Sequence, residues 1–165
     1  MQGEALSIAI IGENPVRATI LESGLREAGH WSITRIGETT DLLARIWALD
    51  PDVIFIDLEN PSRDVLERMF QVSRSVRRPV AMFVDQADSA SIRAAVDAGV
   101  SAYIVDGLRK ERIRAILDVT ISRFDAFARL RDELAAAKEA LKDRNTIERA
   151  KGILMRSRRL SEEEA

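Results

Sequence analysis

Cysteine is absent from this 165-residue chain, which removes disulfides, thiolate metal sites and cysteine nucleophiles together. Histidine occurs once, as His30 beside Gly29 at an expected turn, so a histidine cluster cannot hold a metal. No apolar run approaches a membrane span, and Met1–Leu6 does not read as a signal peptide, so a soluble, cytoplasmic protein is expected. Charge of one sign is not in excess either. The formal net charge is −2, and any nucleic-acid function has to live in a local patch. What remains is globular in character, with 46% apolar and 32% charged residues, enough for one domain and a small appendage.

Proline and glycine are unevenly spread. Pro15, Pro51, Pro61 and Pro79 all fall in the first half, and neither residue type occurs from Leu108 until Gly152. Turns and strands are therefore expected before Gly107 and sustained helix after it. Short β-branched runs stand at Ser7–Ile11, Trp31–Ile36, Val53–Asp57, Val80–Val84 and Ala102–Val105. Helical patterns separate them at about Pro15–Ala28, Thr40–Leu49, Ser62–Val76 and Ser89–Ala98. Asn14 before Pro15 is a helix start, and Val53–Ile56 and Val80–Val84 are apolar enough to be covered on both faces. Five such alternations predict an α/β fold, a doubly wound five-stranded parallel sheet.

Beyond Leu108 the period changes. Ile113, Leu117, Thr120, Phe124, Phe127, Leu130, Leu134, Ala137 and Leu141 follow one another at steps of three and four, a coiled-coil-like seam. A helix packed back on its own domain accounts for Ile113–Ile121. Twenty further residues would run about 30 Å on, leaving Phe124, Phe127, Leu130, Leu134 and Leu141 wet. A dimer seam through these five residues is the expected reason for them.

In an open parallel sheet, ligands gather at the carboxyl ends of the strands near the switch in strand order. Those ends here carry Glu13, Asp57, Asp85 and Asp106, an expected acidic pocket. Asp57 closes a buried strand and precedes Leu58-Glu59-Asn60-Pro61. This arrangement resembles the receiver domain of two-component response regulators over about residues 7–108, with Pro61 and Tyr103 also matching. The resemblance implies a flavodoxin-like fold and makes Asp57 the candidate phosphoacceptor. Phosphoryl transfer to a carboxylate needs a divalent ion and donors for the moving charge. Gly12 stands where the family has an acid, Val84 where it has a hydroxyl, and Asp106 where it has a lysine. No cofactor is therefore required, and Mg2+ held by Glu13 and Asp57 is expected to be weak at best.

The most distinctive string is Ile147-Glu148-Arg149-Ala150-Lys151-Gly152-Ile153-Leu154-Met155, preceded by Arg144 and followed by Leu160-Ser161-Glu162-Glu163-Glu164. Ile147, Ala150, Ile153 and Leu154 form one apolar helix stripe, and Ser161 with Glu164 is a capping box for another helix. Between Lys142 and Leu160 seven basic residues face two acidic ones, a local charge of +5. The string resembles the ANTAR module of RNA-binding transcription antiterminators, a three-helix unit that continues past the position of Ala165. The resemblance and the charge make Arg144, Arg149, Lys151, Gly152, Arg156 and Arg158 candidate RNA-binding residues. The expected organisation is a receiver at 1–108, a long coiled-coil helix at 109–145 and the start of an ANTAR module at 146–165.

Met82–Asp88 and Tyr103–Leu108 resemble most the NasT-type regulators of nitrate assimilation, with the amidase-operon antiterminators close behind. That resemblance implies a leader-mRNA hairpin as target and a sensor protein that sequesters the antiterminator. Neither membrane nor DNA is an expected partner. The alternative is a phosphorylation-activated response regulator using Asp57. An enzyme such as a phosphatase is disfavoured, because the acidic pocket has no histidine, cysteine or lysine to serve as acid, base or nucleophile.

Overall fold

The computed structural model describes residues 5–37 and 40–158, with side chains given up to Arg156. Five strands, β1 (Ser7–Ile11), β2 (Ser32–Ile36), β3 (Val53–Leu58), β4 (Val80–Val84) and β5 (Ala102–Val105), form one parallel sheet in the order β2-β1-β3-β4-β5. The order reverses between β1 and β3, so the crevice at their carboxyl ends is the switch point of the doubly wound fold. Helices α1 (Pro15–Glu27), α2 (Leu42–Leu49), α3 (Arg63–Val76) and α4 (Ser89–Asp97) make the crossovers. A 3-10 turn at Lys110–Arg112 leads into α5 (Ile113–Arg158).

Period-two alternation sorts the strand residues between the two faces. Ile54 and Ile56 of β3, with Val80, Met82 and Val84 of β4, enter the core shared with α2 and α3. Val53, Phe55, Ala81 and Phe83 enter the other core, beneath Leu21 and Leu25 of α1 and Ile113 and Leu117 of α5. The rings of Phe55 and Phe83 meet there at 5.7 Å. Asp57 continues the parity of Val53 and Phe55, which aims it toward the α1 side.

Element ends differ from expectation by a residue or two where local backbone decides. Asp41 has φ 53°, left-handed, so α2 begins at Leu42 rather than Thr40. The long helix starts at Ile113 instead of Leu108, after the 3-10 turn, and then runs unbroken through position 146 to Arg158. The chain divides into two compact units, residues 1–124 and 125–165. In the first, α5 is anchored by buried Ile113, Leu117 and Thr120. In the second, the described side chains are mostly exposed. The proposed helix cap at Ser161 lies outside the described residues, and so does the side chain of Arg158.

Candidate functional site

The carboxyl ends of β1 and β3 open into a cleft of about 450 Å3 whose lining includes Gly12, Glu13, Asn14, Asp57, Glu59 and Arg68. Asp57 lies at its base, 4% exposed. A carboxylate so deeply placed needs a partner, because an unpaired buried charge is costly. Its partner is Arg17. The guanidinium lies along the carboxylate, with Nε donating to Oδ1 at 3.0 Å and Oδ2 at 2.9 Å and Nη2 donating to Oδ1 at 2.7 Å. Nη1 turns to Asp85 Oδ1 at 3.2 Å, and Glu59 Oε1 stands 3.8 Å from Nε. Every nitrogen of the fork faces a carboxylate. The hydrogen bonds to Asp57 raise the Arg17 pKa above its ordinary value, so the cation is fixed throughout the working pH range.

Local structure brings Arg17 there. Asn14 caps α1, its Oδ1 accepting from the Val16 amide at 2.9 Å and the Arg17 amide at 3.3 Å, and its Nδ2 donates to Glu59 Oε1. Arg17, Leu21 and Leu25 follow at i, i+4 and i+8, one face of the helix. Leu21 and Leu25 are fully buried in the core, so the same stripe delivers Arg17 to the strand end above it. The sequence reading missed this residue. Its signal was an arginine on the buried stripe of α1, in the first turn of the helix.

Two of the four expected pocket acids, Asp57 and Asp85, are joined by Arg17, while Glu13 lines the same cleft. Asp106 is exposed in a left-handed turn (φ 49°) after β5, outside that lining. Val84 is buried in the apolar core facing α2 and α3. Burial pushes the Tyr103 phenol pKa up, and its Oη makes no hydrogen bond among the described residues. The residues do not fit a divalent ion well. Both Asp57 oxygens accept from Arg17, and no group of three or more potential ligands is arranged for a metal among the described residues. Gly12, at the place of the usual second acid, is pressed against β3. A Cβ there would stand 3.1 Å from Asp57 O and 3.4 Å from Asp57 Cβ.

The basic string lies on α5. Successive helix residues turn by about 100°, so Phe127, Leu130, Leu134 and Leu141 share a line, and Gly152 falls on its continuation. Arg149 and Arg156 flank that continuation on one side, Arg144 and Lys151 on the other. Ile147, Ala150, Ile153 and Leu154 lie roughly opposite. The seam residues Phe127, Leu130, Leu134 and Leu141 are 55–60% exposed, and Phe124 is half-buried. Arg144 Nε is 3.4 Å from Glu148 Oε1, an exposed pair of the kind that contributes little to stability. Arg156 Nε donates to Gly152 O at 3.2 Å, while Arg149 and Lys151 are exposed. Space beside Gly152 is open, so a phosphate or another backbone can approach it closely.

Comparison with known proteins joins these two features. Residues 135–165 match the family model of the ANTAR domain. The rest is receiver in fold. A response regulator from Thermotoga maritima superposes with a TM-score of 0.61 at 17% identity, over 72% of this chain and 99% of that one. The receiver domain of the response regulator NarL from Mycobacterium tuberculosis gives 0.56 at 22% identity, over 71% and 97%. In sequence the chain is similar to the transcriptional regulatory protein PdtaR of Mycobacterium tuberculosis, 26% identical over 141 residues, 86% of this chain and 69% of the relative. The fold is that of a receiver, and residues 135–165 are similar to the ANTAR domain. No described helix is long and apolar enough to cross a membrane.

Proposed function

We propose that this receiver–ANTAR chain is a cytoplasmic RNA-binding transcription antiterminator of the response-regulator type, gated by a sensor partner protein. The observation that carries the reading is the coincidence of the ANTAR match with exposed basic residues on both flanks of one helix line. Arg144, Arg149, Lys151 and Arg156 contact the phosphates or base edges of a leader-mRNA hairpin. Unpaired loop bases expose edges that such a face can read. A second copy of the chain packs along Phe124, Phe127, Leu130, Leu134 and Leu141, placing two basic faces together. Gating falls to partner docking, because Arg17 already engages the carboxylate that a phosphoryl group would need. Nitrate and nitrite assimilation genes are the proposed targets, on the resemblance of Met82–Asp88 and Tyr103–Leu108 to the NasT-type regulators. The second reading, activation by phosphorylation of Asp57, is favoured by the position of that residue at the end of β3.

The test is the salt dependence of binding to leader RNA. Affinity should fall with a log–log slope of about −0.7 for each phosphate contacted on a single strand. Lys151→Ala should shrink the magnitude of that slope by about 0.7 and leave the melting temperature unchanged, since the side chain is exposed. A slope near zero would contradict the RNA reading, and an unaltered slope in Lys151→Ala would remove that residue from the interface.

A further inference from the structure

In receivers that accept phosphoryl groups, a divalent cation must gather the acidic groups and screen the incoming charge. In this chain Asp57 and two neighbouring acids are already gathered by a cation of its own. Arg17 reaches Asp57 by three donor–acceptor contacts, Asp85 by one, and lies within ion-pair distance of Glu59. Its side chain is 18% exposed against 2% for Asp57, so the contact is largely withdrawn from water. The arginine is also anchored from behind. It is one residue from buried Ala18 and one helical turn from Leu21, and its own amide is tied to the Asn14 cap.

We propose that Arg17 is the resident cation of the receiver pocket, taking at Asp57 the place of a divalent ion and leaving the pocket complete without metal. Mg2+ demands close oxygen ligands in near-octahedral array and keeps several waters. Here the Asp57 oxygens are covered by a planar fork, and the backbone of β3 crowds the place of a second acid at Gly12. A metal would have to expel the guanidinium, leaving a desolvated arginine beside a divalent ion of the same sign. The inference is separate from RNA recognition. It holds whether or not α5 binds nucleic acid.

Thermal unfolding with and without Mg2+ tests it. The wild-type chain should melt at the same temperature in either case. Arg17→Ala removes the cation and frees the carboxylates, so Mg2+ should raise its melting temperature, by about 4 °C at tenfold excess over Kd. Arg17→Ala/Asp57→Asn should lose that rise. Equal stabilisation of the wild type by Mg2+ would overturn the proposal, and so would an Arg17→Ala chain indifferent to the ion. Should Arg17→Ala fail to fold, the wild type itself decides. The Arg17 Nε–H resonance should be slow to exchange, displaced in Asp57→Asn and untouched by Mn2+. Selective broadening of that resonance by Mn2+ would show a metal at the site and overturn the proposal.

Discussion

Gly24 of α1 lies so close to Ile113, the first residue of α5, that a Cβ built on it would stand 2.6 Å from both the Cβ and Cγ1 of Ile113. The Lys110 carbonyl would be 3.0 Å away, and Lys110 Nζ is 2.5 Å from Glu27 Oε1 at the end of the same helix. Helix α1 thus carries Arg17 at one end and grips the root of α5 at the other. Gly24→Ala should cost about 1–3 kcal/mol, because neither the branched side chain nor the carbonyl can yield freely. Chemical denaturation measures it. An unchanged midpoint would mean that this packing is looser than the geometry implies.

The Arg17–Asp57 pair should behave as a buried couple. Removing one partner leaves the other charge unpaired, so Arg17→Ala should destabilise the chain by about 3 kcal/mol near neutral pH in the absence of divalent ions. Arg17→Ala/Asp57→Ala should recover part of that loss, which a double-mutant cycle reads directly. The sign of the pH dependence is also set. A cation whose pKa is raised on folding contributes fully below its unfolded value and is lost only as pH rises through the folded one. Titration of Arg17 should therefore add no pH dependence to stability across the neutral range. Additive single-mutant effects would contradict the coupling.

Leu134→Asp should separate the seam from the receiver. Leu134 is 55% exposed in the isolated chain, so the substitution costs the monomer little, but it would place a charge inside a paired seam. On the proposed dimer, sedimentation should change from dimer to monomer while circular dichroism of the sheet is retained. A wild-type chain already monomeric at high micromolar concentration would count against pairing with itself.

The fold was legible because its signals were local. Val53–Ile56 and Val80–Val84 are apolar on both faces, and Asn14-Pro15 marks where α1 starts. Asp57 could be placed at a strand end for the same reason. Arg17 could not be found so directly, since its role depends on two periodicities meeting in space. The odd-numbered parity of β3 and the i, i+4 stripe of α1 converge on one point, and only the sheet order brings them there. Asp106 shows the converse. It follows its strand as expected, yet a left-handed turn leaves it exposed outside the cleft lining. The helix running unbroken through residue 146 was legible as well, in the absence of proline and glycine from Leu108 until Gly152, even though the apolar face shifts beyond Leu141.

On the proposed gating by partner docking, the receiver's output does not depend on chemistry at Asp57, because Arg17 already engages that carboxylate and Val84 and Asp106 offer no donors to a phosphoryl group. The most direct measurement is leader-RNA affinity of the chain alone, with beryllofluoride and Mg2+, and as Asp57→Ala. A ligand shifts an equilibrium only by its differential affinity for the two states. All three affinities should agree within a few-fold. A change of about tenfold or more with the mimic, worth about 1.4 kcal/mol and abolished in Asp57→Ala, would contradict it.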